Sequence, residues 1–89
     1  MRSRATTKFW KLYDRLPLAE QRSARLAYEK WKANPFHPSL HFKRVDDEEP
    51  IYSARVSEDY RVLGILEGDL VIWYWIGSHD DYLQMLKRS

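Results

Sequence analysis

Residues 51–79 read IYSARVSEDYRVLGILEGDLVIWYWIGSH, and this stretch decides the fold. From Ile51 to Val56 the chain alternates, with Tyr52, Ala54 and Val56 on one side and Ser53 and Arg55 on the other. A period of two is the mark of a β-strand. Ser57-Glu58-Asp59 supplies a turn, and a second strand follows from Tyr60 to Glu67. In it Tyr60, Val62 and Leu66 oppose Arg61, Leu63 and Ile65. Gly68-Asp69 is a tight hairpin turn. Leu70 to Ile76 has no polar alternation, which predicts a central strand covered on both faces, broken by Gly77-Ser78.

Upstream, His41 to Val45 predicts one more strand, with the acidic run Asp46–Glu49 and Pro50 forming its hairpin loop. Residues 36–39 form a loop, and before it the period becomes helical. Phe9, Leu12, Tyr13 and Leu16 share one side of a short amphipathic helix that ends near Leu16, ahead of Pro17. Pro17 opens a second helix whose stripe is Ala24, Ala27, Tyr28 and Trp31, stopped by Asn34-Pro35. The short connection predicts an antiparallel helical hairpin. Downstream, Ser78 with Asp81 three residues later forms a helix cap, and Leu83 and Leu86 give a last helix its apolar side. The layout is ααββββα: an α+β single domain over residues 1–89, with the helices packed on one face of a roughly four-stranded antiparallel sheet.

Composition bounds the chemistry. The chain has 89 residues with four Trp, six Tyr and three Phe. So small a domain needs large side chains to fill its core, and Trp31, Trp73 and Trp75 serve that purpose. Trp10 falls off the apolar stripe of its helix and is expected at the surface. The absence of cysteine excludes a disulfide scaffold, a thiolate zinc site and a cysteine nucleophile. No apolar run reaches the length of a membrane span, so a soluble, cytoplasmic protein is expected. The net charge of +2 is unevenly spread. Residues 1–33 hold nine Lys/Arg against three Asp/Glu, a net of +6, and residues 34–89 hold six against ten, a net of −4. A basic hairpin of this kind suits a nucleic-acid surface.

The chemistry-bearing candidates are His37, His41, Lys43, Arg44, Arg55, Arg61, His79 and Tyr82. The chain has no glycine-rich phosphate loop and no nucleophile elbow. His37 and His41 are four apart, but Pro38 between them breaks the helical face that would make the spacing a metal signal. Arg55 and Arg61 lie on adjacent strands joined by a short turn, so both can project from one face. Two guanidiniums so placed repel each other unless an anion lies between them, and phosphate matches their planar forks. The alternative is surface pairing with Glu58, Asp59 or the Asp46–Glu49 run. His79, at a strand-to-helix junction, can be a general base or acid, or a cap residue without further function. Tyr82, one turn later, can share its face or pack in the core.

Four stretches, NPFHPSLHFKRV (34–45), IYSARVSEDYRVLG (51–64), VIWYWIGSH (71–79) and DDYLQML (80–86), resemble the RelE/ParE toxin superfamily. The likeness runs from FWKLYDRLP (9–17) to the C-terminus. It implies the toxin half of a type II toxin–antitoxin pair, with a cognate antitoxin as protein partner. It further implies a metal-independent endonuclease, without a cofactor, that cuts mRNA on the ribosome. The alternatives within the superfamily are a DNA gyrase inhibitor and a non-toxic binding module. In the implied cleavage the substrate's 2′-OH attacks the adjacent phosphate. A base takes the 2′ proton, cations stabilise the phosphate oxygens and an acid protonates the leaving 5′ oxygen.

By position, Arg61 in DYRV matches the phosphate-binding arginine of the superfamily. Arg55 in YSARV falls where many members carry a lysine or another polar catalytic group, and His79 in GSH where some carry histidine. Lys43, Arg44 and His41 are implied RNA contacts, and Tyr82 lies near a C-terminal tyrosine used by some members. Members acting through a lysine pair have lysine where this chain has Ser53 and Arg55. Arginine stays protonated and cannot serve as a base, so that role falls to His79 or Tyr82. An antitoxin segment that folds as it binds is implied as well, with the Phe9–Trp10 helix as its landing site.

Overall fold

The computed structural model describes residues 1–87. The elements in chain order are β1 (Arg2–Ala5), α1 (Thr7–Asp14), α2 (Leu18–Ala33), a 3₁₀ turn (Pro38–Leu40), β2 (Lys43–Arg44), β3 (Ile51–Arg55), β4 (Tyr60–Glu67), β5 (Leu70–Ser78) and α3 (His79–Lys87). The sheet order is β1-β5-β4-β3-β2. The α+β class and the β3–β5 meander agree with the sequence reading, but the sheet has five strands, not four, and is mixed. β1 lies parallel to β5, with Arg2 opposite Leu70 and Ala5 opposite Trp73.

Nothing in Arg-Ser-Arg-Ala favours a strand by propensity. It is held by the open edge of β5, where Arg2 N–H donates to the Asp69 carbonyl (2.8 Å) and Thr6 N–H to that of Trp73 (3.0 Å). At the other edge β2 shrinks to two residues. His41 adopts a left-handed conformation (φ 48°) that closes the 3₁₀ turn. Asp46 folds its carboxylate back onto the N–H groups of Glu48 (2.8 Å) and Glu49 (2.9 Å), ending the pairing.

The helices start and stop by local chemistry. Thr6 Oγ1 caps α1 by accepting from Phe9 N–H (3.1 Å). α1 ends at Asp14, before Leu16, and the Gln21 side chain donates to the carbonyls of Tyr13 (3.2 Å) and Leu16 (3.3 Å) that the ending leaves open. Ser78 Oγ accepts from Asp81 N–H (3.2 Å), the cap expected for α3. β5 runs through Gly77-Ser78 without a break and passes straight into α3.

The sheet is covered on both faces, which corrects the expectation of helices on one. Phe9, Tyr13, Trp31, Leu40, Phe42, Ala54, Val71, Trp73 and Ile76 form the core beneath α1 and α2. Leu63, Trp75 and Tyr82 form a second core beneath α3, joined by Met85 and Leu86. A β-bulge makes the second core possible. Leu63 pairs with Trp75 while Gly64 pairs with Trp73, so Tyr74 is an extra residue in β5. The extra residue turns Trp75 to the face opposite Trp73.

Gly64 sits where the bulge brings β4 against the first core. A Cβ there would lie 2.7 Å from both Trp73 Cε3 and Val71 Cγ1. Both neighbours are buried and cannot yield. Gly64→Ala is therefore expected to destabilise the fold by about 1–3 kcal/mol, read by denaturant unfolding; unchanged stability would contradict this packing.

Candidate active site

Register places Arg55 directly opposite Arg61. Their neighbours Ala54, Val56 and Val62 belong to the core under α1 and α2, so both arginines stand on the α3 side. Lys43 is opposite Ser53, which puts it on the same side at the sheet edge. The β3–β4 turn and α3 meet where His79 N–H donates to the Asp59 carbonyl (2.7 Å). Arg55, Arg61, His79 and Tyr82 thus gather where the meander's first turn meets the start of the last helix. Three loosely spaced segments of sequence contribute to one face.

The two guanidiniums are tied to backbone carbonyls. Arg61 Nη1 donates to the carbonyls of Ser57 (2.7 Å), Glu58 (3.1 Å) and Tyr60 (2.9 Å). Arg55 Nε donates to the Ser57 carbonyl over a long 3.4 Å. Among the described residues the ion pairs are Arg2–Asp69 and Lys32–Glu29, and neither arginine forms one. The surface pairing with Glu58, Asp59 or the Asp46–Glu49 run is not made. Among the described residues, Arg61 Nε and Nη2 and both terminal nitrogens of Arg55 have no acceptor. Burial pushes the Arg61 guanidinium below its ordinary pKa, and the facing Arg55 pushes the same way, while Tyr82 and Asp59 oppose them. The guanidinium nonetheless stays charged. Like charges directly opposite on paired strands are unfavourable, and an anion between them relieves the repulsion.

The remaining candidates divide. Tyr82 is buried, and its hydroxyl donates to the buried Ser53 Oγ (3.3 Å), so it fixes α3 to the sheet. Its ring lies 5.9 Å from that of His79, centre to centre. His79 is half-buried and Lys43 exposed. Arg44, opposite Tyr52, is turned into its own loop, donating to the carbonyls of Asp46 (2.8 Å) and Asp47 (3.3 Å). His41 is exposed at the end of the 3₁₀ turn. His37 Nδ1 accepts from Ser39 N–H (3.1 Å) as the cap of that turn. The sequence assigns no role to Ser53 or Ser57, because serines in strands and turns carry no pattern of their own. No group of three or more His, Asp or Glu stands together as a metal site among the described residues.

On the opposite face a groove of about 450 Å³ runs between α1, α2 and the sheet. Trp10, Tyr13, Tyr28, Trp31 and Trp73 line it, with Arg4, Arg25 and Arg55 as its charged residues, so Arg55 borders this groove at the sheet as well as standing opposite Arg61. Trp10 is 50% exposed, as its position off the stripe predicts.

The profile of the ParE-like toxin domain matches residues 19–84. The chain belongs to that family, within the RelE/ParE toxin superfamily. It is similar in structure to the RelB–RelE antitoxin–toxin complex from Methanococcus jannaschii (TM-score 0.73, 17% identity, 91% of this chain and 95% of that one). It is also similar to YafQ from E. coli strain BL21(DE3) (TM-score 0.68, 15% identity, 92% and 98%). A third similar structure is the YoeB/ParE toxin from Agrobacterium tumefaciens (TM-score 0.68, 16% identity, 89% and 99%). Comparison with curated protein sequences finds no match. No helix among the described residues is long and apolar enough to cross a membrane.

Proposed function

We propose that this toxin is a metal-independent endoribonuclease that cuts mRNA on the ribosome, by attack of the substrate's 2′-OH on the adjacent phosphate. The observation that carries the reading is the Arg55–Arg61 pair, set opposite each other in register, with N–H donors that meet no acceptor and no carboxylate among the described residues. In the cleavage, Arg61 and Arg55 hold the scissile phosphate and stabilise the charge that grows on its oxygens. His79 takes the 2′ proton as general base, the P–O5′ bond breaks, and water protonates the leaving 5′ oxygen. Tyr82, its hydroxyl committed to Ser53, positions α3 and with it His79. Lys43 extends the cationic face along the edge strand and contacts the RNA backbone. Arg44, turned into its own loop, and His41, exposed at the end of the 3₁₀ turn, are left to outer contacts with RNA. The basic hairpin adds attraction to ribosomal RNA, and such a target places the protein in the cytoplasm.

The test is to incubate the purified protein with translating ribosomes, map mRNA 5′ ends, and run a DNA supercoiling assay beside it. New 5′ ends with unaffected supercoiling support the reading. Inhibited supercoiling with intact mRNA replaces it by gyrase inhibition. Inactivity in both leaves a non-toxic binding module.

The partner is an antitoxin, in line with two of the similar structures, the RelB–RelE and the DinJ–YafQ complexes. The groove under the hairpin, with Trp10 at its mouth, is the surface it engages. Trp10→Ala is expected to weaken the complex by about 2 kcal/mol, roughly 30-fold in affinity. Titration calorimetry with the protein encoded by the adjacent reading frame reads this directly, and an unchanged affinity would remove Trp10 from the interface.

A further inference from the structure

The β3–β4 turn is held from both faces of the sheet at one residue. On the α1/α2 side, Ser57 Oγ donates to Glu20 Oε1 at 2.8 Å, across 37 positions of sequence. On the α3 side, the carbonyl of the same Ser57 accepts from Arg61 Nη1 at 2.7 Å and from Arg55 Nε at 3.4 Å. Glu20 lies in the first turn of α2, where the helix N-terminus favours a carboxylate. A hydroxyl donating to a charged oxygen makes a strong, directional bond. Glu20 forms no ion pair with either arginine among the described residues, so it does not act as their counterion.

We infer that Glu20 is a positioning residue for the Arg55–Arg61 pair, acting through Ser57, an inference that rests on the anion-site reading above. Glu20 fixes the serine, the serine's carbonyl sets both guanidiniums, and the N-terminus of α2 is thereby coupled to the site across the sheet. A displacement of α2 from the far face shifts the carbonyl and spoils the spacing of the two forks. The relay requires the acceptor oxygen, which the charge strengthens but does not replace, because the coupling runs through a chain of hydrogen bonds.

The test compares the wild type with Glu20→Ala, Glu20→Gln and Ser57→Ala, using inorganic phosphate as probe and the arginine Nε–H resonances as readout. Melting temperatures establish that each variant is folded. Glu20→Ala and Ser57→Ala should shift the Arg55 and Arg61 Nε–H resonances before phosphate is added. Both should weaken phosphate binding about tenfold, as misplaced contacts do. Glu20→Gln keeps an oxygen for the serine and should stay within about twofold of the wild type. Resonances and affinity unchanged in Glu20→Ala would overturn the relay. Glu20→Gln as weak as Glu20→Ala would overturn it too, by assigning the effect to charge. Failure of the wild type to bind phosphate would count against the anion site itself, and the unliganded resonances would still decide the relay.

Discussion

Replacing Arg61 by alanine is expected to lower the rate of mRNA cleavage by about 10²–10³-fold, the loss typical of removing one donor that stabilises charge in the transition state. In the proposed mechanism Arg61 acts in two ways. Its Nε and Nη2, which have no acceptor among the described residues, are available to the phosphate, and its Nη1 gathers three carbonyls of the β3–β4 turn. Alanine removes both contributions. Arg61→Lys separates them, because a single ammonium keeps the charge but cannot hold three carbonyls and present a fork at once. The lysine variant should therefore recover only part of the rate. Circular dichroism at the assay temperature verifies that both variants are folded. An Arg61→Ala protein that cleaves within about threefold of the wild type, far inside that 10²–10³ loss, would remove Arg61 from the site.

The second large effect falls on His79. Loss of a general base costs about 10²–10⁴-fold, and His79→Ala should show a decrease in that range with little change in stability. The side chain is half-buried, and its backbone N–H, not its ring, makes the bond to Asp59 that anchors the start of α3. Alanine keeps that N–H, so the architecture survives. A general base also leaves a limb in the pH–rate profile, and that limb should vanish in the variant. If the rate and its pH dependence both survive the substitution, another group takes the proton. The hydroxyl of Tyr82 is poorly placed to do so, being buried against Ser53. Tyr82→Phe should accordingly retain more activity than His79→Ala, measured in the same cleavage assay.

The meander was readable because its strands alternate and its turns are marked by Ser57-Glu58-Asp59 and Gly68-Asp69. β4 occupies Tyr60–Glu67 as its pattern predicts. The edges were not readable. β1 exists because β5 offers unpaired backbone groups, a cause that lies nearly seventy residues away from it. The Tyr74 bulge is invisible in a stretch, Leu70 to Ile76, that has no polar alternation, and it sends Trp75 to the far face, where α3 must cover it.

The site shows the same division. That Arg55 and Arg61 face each other follows from the length of one turn, and the structure sets them in direct register. That no carboxylate comes between them does not follow, because Glu58, Asp59 and the Asp46–Glu49 run are all near in sequence. The acids lose to local geometry. Asp46 is spent capping its own loop, and Arg61 reaches the turn's carbonyls instead. Core packing was one of the two readings open for Tyr82, and the placement of α3 on the second face selects it. Its spacing from His79 fits a shared surface and a shared core equally well.

The chemistry of the cut ends tests the central claim most directly. Attack by the 2′-OH on the adjacent phosphate must leave a 2′,3′-cyclic phosphate on one fragment and a 5′-hydroxyl on the other. End-group analysis of mRNA recovered from ribosomes treated with the protein should find both, and neither with Arg61→Ala. Fragments carrying a 5′-phosphate would show that water or another nucleophile attacks, and intact mRNA would show that the arginine pair serves another anion.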